Sequence, residues 1–155
     1  MNHTITPIGI IHSPYAIKEQ CPIQGIASPE GKGTVEIFPE YGEGLLTIEG
    51  FSHLYLLYIF DRAGPVQLSR PTFLDHKPHG VFASRHPCRP NGIGMSVVKL
   101  EKRDGCRLHV SEIDVLDATP LIDIKPYIPR FDMREGASDG WVSEMRMGEK
   151  PEGRE

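Results

Sequence analysis

The sequence predicts a mainly β, antiparallel fold, a barrel or a sandwich. Three observations predict it. At least six segments carry β patterning and are separated by turn residues. Glycine (16) and proline (14) together make up about a fifth of the chain, against a typical share of about 12%. Asp104-Gly105 is a hairpin signal between two β-patterned runs. At 155 residues the chain is long enough for one domain with its own core.

Taken in order, Thr4–His12 is the first β run, and Pro7 puts it at an edge or just before the paired part. His12-Ser13-Pro14-Tyr15 ends it, because the residue before proline is pushed to extended geometry. Residues 16–32 show no periodicity and read as a long loop, of the kind that is functional or mobile. Gly33–Phe38 alternates, with Val35 and Ile37 inward, and Pro39–Gly44 suits one helical turn. His53–Phe60 is apolar on both faces, so it must be covered twice. In a small β protein the second cover is a second copy of the chain, which predicts a homodimer; cover by the chain's own loops is the alternative. Asp61–His79 reads as loop. Gly80–Ser84 reads as a short strand, followed by a loop holding Arg85, His86, Arg89 and Gly92 and by a strand from Met95 to about Lys102. Arg107–Leu116 changes apolar parity midway, which predicts a bulge near Ser111-Glu112. Leu121–Tyr127 is the last strand, Trp141-Val142 docks on the body, and residues 148–155 form a disordered tail.

A net charge of −4 argues against a protein that grips DNA or RNA along many phosphates, though a local patch can still bind RNA. No apolar run approaches the ~20 residues of a membrane span, and the N-terminus lacks a charged signal-peptide start. Three cysteines without a CxxC pair argue against a disulfide framework, so a cytoplasmic location is expected.

The arginine loop pairs cations with rigid backbone, suited to an anionic or polar ligand. Asp114 and Asp117 could accept hydrogen bonds from an ammonium or from ribose hydroxyls, or could serve as turn residues. His76, His79, His86 and Cys88 have a spacing resembling metal ligands, but a strand separates the pairs and no orienting carboxylates can be read, so no metal site is expected. Neither a dinucleotide-binding glycine fingerprint nor an esterase nucleophile motif occurs.

Five motifs then occur in order: Ile8-Gly9-Ile10-Ile11-His12-Ser13-Pro14-Tyr15, Glu49-Gly50-Phe51-Ser52-His53-Leu54, Gly80-Val81-Phe82-Ala83-Ser84-Arg85, Arg89-Pro90-Asn91-Gly92-Ile93-Gly94-Met95-Ser96, and Asp114-Val115-Leu116-Asp117 running on to Asp123-Ile124-Lys125-Pro126-Tyr127. Over about residues 5–132 they resemble the TsaA-like/TrmO family, also called YaeB or VirR. The resemblance implies a small antiparallel β-barrel methyltransferase of non-Rossmann type, acting as a homodimer on tRNA with S-adenosylmethionine near the subunit interface. Characterised members methylate the exocyclic amine of threonylcarbamoyl-adenosine beside the anticodon. Carried over by motif, the cofactor positions are Pro22, Ile23, Gln24, Asp61, Arg62, Arg85, Met95, Asp114, Val115, Leu116 and Asp117. Arg89, Lys125 and Tyr127 are the candidates for facing substrate. The expected barrel domain spans residues 1–147, without the C-terminal domain of longer members. Gly92 stands where the family usually has proline, Ala118 where it has glycine, and Asp61 where histidine is common. A cofactor-binding module with another substrate, or a metal-binding protein, are the alternative readings.

Overall fold

The structure, a computed structural model, describes residues 1–71 and 76–144. Six antiparallel strands close into a barrel. They belong to a set of eight: β1 (Gly9–His12), β2 (Gly33–Ile37), β3 (His53–Ile59), β4 (Ser69–Pro71), β5 (Pro78–Gly80), β6 (Ile93–Asp104), β7 (Arg107–Ser111) and β8 (Thr119–Pro126). Around the barrel the order is β1-β2-β7-β6-β3-β8, and β8 returns to β1 through Ile10↔Pro120. Closure leaves these strands no open edge. β4 and β5 form a separate hairpin within the segment that joins β3 to β6.

Alternation predicts the inner face well. Ile11, Val35, Leu54, Leu56, Val98, Leu108 and Leu121 are fully buried in one core. Side chains two apart on a strand share a face, so Leu54, Leu56 and Tyr58 of β3 point inward while Tyr55, Leu57 and Ile59 stay half-exposed. The β6 neighbours of that outer face, Ile93, Met95 and Val97, are also exposed.

Several boundaries differ from the sequence reading. β1 begins at Gly9 rather than Thr4; the first ladder bond, from Ile8 N–H to the Leu121 carbonyl (2.8 Å), lies just past the donor-less Pro7. Val81–Ala83 is a 3-10 turn instead of a strand, and the Asp61–His79 region contains β4 and the start of β5. The expected bulge near Ser111-Glu112 is displaced. β7 ends at Ser111, left-handed Glu112 (φ 62°) resets the parity, and the register shift lies on the partner strand between Leu100 and Lys102. The hairpin at Asp104-Gly105 joins β6 to β7 as its turn chemistry requires. Trp141 docks as expected, stacking on His79 at 4.1 Å and donating Nε1–H to the Ala83 carbonyl (2.8 Å). The predicted tail, 148–155, lies outside the described residues. Among the described residues no helix is long and apolar enough to cross a membrane.

Candidate functional site

A cleft of about 390 Å³ opens on the outside of the barrel, beside β6, within the range of small-molecule sites. Four positions carried over as cofactor contacts line it: Gln24, Arg85, Met95 and Asp114. They come from three loops and a strand that are far apart in the chain. Tyr127, a candidate for facing substrate, lines it as well.

A polar seam runs from the core into this cleft. Tyr58 and Ser96, both buried and inward-facing, share a hydrogen bond of 2.9 Å. The Ser96 hydroxyl donates to Asp114 Oδ1, and the Gly25 N–H donates to Asp114 Oδ2 at 2.9 Å. Gly25 is required there: a Cβ would lie 1.7 Å from the Glu112 carbonyl oxygen. Burial raises the Asp114 carboxyl pKa above its ordinary value, and the bonds from Ser96 and Gly25 and the charge of Arg85 only partly oppose it. Burial, reinforced by Asp114, likewise raises the Tyr58 phenol. Across the cleft Arg85 is exposed, and its Nη1 donates to Gln24 Oε1 at 2.6 Å. The cleft thus offers a half-buried carboxylate, an accessible guanidinium, and the apolar side chains of Met95 and Val97.

The other carried-over positions gather elsewhere. Arg62 ties a second cluster, pairing with Asp61 (3.2 Å) and donating from Nη2 to the Asp117 carbonyl (2.8 Å) and Thr119 Oγ1 (2.9 Å). The Asp117 carboxylate accepts the Ser13 N–H at 3.0 Å and lies 3.7 Å from His12 Nδ1, a turn-stabilising role. Val115 is in the core, Leu116 follows it half-buried, and Pro22 and Ile23 lead into Gln24 without lining the cleft. Arg89 donates Nη1–H to the carbonyls of Ser84 (3.0 Å) and His86 (3.2 Å), so it braces its own loop. Lys125 pairs with Asp123 at 3.1 Å on the surface.

His53, Ile26, Val97 and Glu112 also line the cleft, and sequence reasoning did not select them. His53 sits on the outer face of β3, edge-on to Tyr127 with ring centres 6.3 Å apart. The available signals were its place in the motif Glu49–Leu54 and the parity of β3, which puts His53 on the same face as Tyr55.

The histidines of the suspected metal cluster have other occupations. His79 stacks on Trp141, and the buried His86 accepts the Cys88 N–H on Nδ1 at 3.1 Å. No grouping of three or more His, Cys, Asp or Glu side chains among the described residues could hold a metal ion. Burial lowers the His86 pKa to about 4, helped by the charges of Arg70, Arg89 and Lys18. His86 Nε2 and Arg70 Nε are buried without a hydrogen-bond partner among the described residues. Gly92 has φ +56° and donates its N–H to the Arg89 carbonyl at 3.1 Å, so the proline usual in the family could not adopt this backbone. Ala118, at φ 63°, holds the left-handed conformation that the family's glycine would adopt without strain.

Comparisons with known proteins converge. The family model of the tRNA-methyltransferase O N-terminal domain matches residues 10–133. A probable S-adenosyl-L-methionine-binding protein of Pyrococcus abyssi is 52% identical over 136 residues, covering 88% of this chain and 74% of that protein. A mouse tRNA (adenine(37)-N6)-methyltransferase is 34% identical, covering 85% of this chain but 32% of its own length. A crystal structure of TrmO superposes with a TM-score of 0.80 at 42% identity, covering 90% of this chain and 64% of that one.

Proposed function

The chain belongs to the tRNA-methyltransferase O N-terminal-domain family, and on that premise we propose that it is an S-adenosylmethionine-dependent methyltransferase whose cofactor occupies the cleft beside β6. The observation that carries this reading is the pairing, in one cleft, of the half-buried Asp114 carboxylate with the exposed Arg85 guanidinium. A zwitterionic, cationic ligand with an aromatic base matches that donor set. S-adenosylmethionine supplies, when bound, a methyl group on a positively charged sulfonium. Asp114 balances positive charge on the ligand, and its own burial cost is lowered as it does so. Arg85 holds a carboxylate or a base edge, and Met95 and Val97 give the apolar wall that excludes water. Tyr127 and His53 flank the mouth, where an acceptor amine would enter.

The acceptor is the exocyclic amine of an adenosine in tRNA, and more narrowly threonylcarbamoyl-adenosine beside the anticodon. The family resemblance supports both statements, and the name of the mouse relative supports the first. The functional unit is a homodimer formed through the outer faces of β3 and β6. The support is their half-exposed apolar residues, of which Met95 and Val97 also belong to the cleft. Residues 1–147 act as a single domain.

Calorimetry with S-adenosylmethionine tests the cofactor reading; no heat of binding at millimolar cofactor overturns it. Asp114→Asn keeps the seam's hydrogen bonds available and removes the charge, so affinity should fall roughly 10- to 100-fold with the fold intact. In the wild type, affinity should rise with pH as Asp114 ionises above the ordinary carboxylate range, then level off, and Asp114→Asn should lose this dependence. Nucleoside mass spectrometry of tRNA from cells lacking the protein tests the substrate; an unchanged methylated threonylcarbamoyl-adenosine content rules it out.

A further inference from the structure

We propose that the loop between β5 and β6, residues 81–92, presents a docking surface for an unpaired RNA loop, with Phe82 as a base-stacking anchor beside the cleft. This rests on the methyltransferase reading above for the class of substrate, but it assigns a surface and a residue that reading does not need.

Charge is the first observation. Residues 80–92 hold Arg85 and Arg89 and no acidic side chain, a net +2 in a chain of −4. The rest of the chain therefore carries −6, so this loop is positive within an otherwise acidic chain. Burial chiefly lowers the pKa of His86, and the nearby charges of Arg70, Arg89 and Lys18 add to it, so cations lie close to this loop.

Phe82 is the second. It is 80% exposed, although its neighbour Val81 is 2% exposed and anchors the 3-10 turn to the body. The turn is fixed on both sides. The Ser84 N–H donates to the Val81 carbonyl (3.3 Å), and Trp141 Nε1–H bonds the Ala83 carbonyl. Phe82 is thus held outward by a rigid support, a ring presented at low conformational cost. Three residues on, Arg85 reaches Gln24 at the cleft. An RNA loop resting on Phe82 would meet a cation next, and then the cleft.

An exposed aromatic among cations suits unpaired bases, which stack while their phosphates meet Arg and Lys. An apolar partner, or a second copy of this chain, would use the ring but not the cations.

Fluorescence anisotropy with a labelled RNA hairpin bearing an unpaired loop tests this on the full chain. Phe82→Ala should weaken hairpin binding roughly 5- to 100-fold. Phe82→Tyr should restore it, with S-adenosylmethionine affinity and sedimentation behaviour unchanged in both. Binding should weaken steeply with salt and be poorer for a fully paired duplex. Any of these results would overturn the proposal: unaltered hairpin binding by Phe82→Ala, duplex bound as tightly as hairpin, a polyglutamate peptide competing as well as RNA, or a changed oligomeric state in Phe82→Ala. A wild type that binds S-adenosylmethionine but not the hairpin overturns this surface alone. Hairpin binding that depends on Phe82, without any S-adenosylmethionine binding, upholds the surface and overturns the cofactor reading.

Discussion

The barrel and the segment that joins β3 to β6 obey different rules. In the barrel, apolar side chains fill the interior and the strand ladders close on themselves. The joining segment holds two buried nitrogens, Arg70 Nε and His86 Nε2, without acceptors among the described residues, and an 80% exposed phenylalanine. Each unsatisfied buried polar group costs on the order of 1–3 kcal/mol. A segment that keeps such costs is not optimised for stability, and this one borders the cleft through Arg85. The barrel supplies stability and position, and the segment supplies chemistry that the barrel has to support.

The largest expected effect tests the barrel's half of that contrast. Leu56→Ala, at a fully buried site in the core, should destabilise by about 2–5 kcal/mol in chemical denaturation. Acid should find the other half. His86 is neutral when folded, with its pKa lowered to about 4 from an ordinary 6.5. The unfolded chain therefore binds the extra proton first, and stability is lost as pH falls from about 6.5 towards 4, by up to about 3 kcal/mol. His86→Asn should remove that loss from the pH profile, and a wild-type profile flat over this range would contradict the assignment. Asp114 works in the opposite sense: its raised pKa means the folded state gains relative stability as the carboxyl is protonated.

A smaller effect sharpens the contrast within the barrel itself. Ala118→Gly should raise stability by up to about 1 kcal/mol, since glycine accepts φ 63° without strain although it frees the unfolded chain. The smallest change in stability is expected on the outer face of β3. Leu57→Arg should leave the denaturation midpoint of the isolated fold within about 0.5 kcal/mol of wild type while shifting sedimentation towards the monomer. A dimer surviving that substitution would move the interface elsewhere.

The strands were legible where structure is local. Val35 and Ile37 declare their inner face by period-two spacing alone, whereas β3, apolar on both faces, left the choice between Leu54-Leu56-Tyr58 and Tyr55-Leu57-Ile59 to the structure. The hairpin at Asp104-Gly105 declares itself by turn chemistry. The joining segment was not legible as structure, because β4, β5 and the 3-10 turn at Val81–Ala83 are too short to show a period. The site was half legible. Motifs pointed to Arg85, Gln24, Met95 and Asp114, which do line one cleft, but equally to Asp61, Arg62 and Asp117, which Arg62 draws into a separate cluster. Motif order cannot tell those groups apart, and His53 lay within a motif without being marked as a cleft residue.

By itself, then, the sequence determined a mainly antiparallel β domain, its family, and the inventory of charged groups available for a site. Only the tertiary structure decided which of those groups meet. Alternation and turn preferences act over a few residues, whereas Gly25, Arg85, Ser96 and Asp114 come together only when the barrel closes. Closure also decides burial, and burial is what raises the pKa of Asp114 and leaves Arg85 facing solvent across from it.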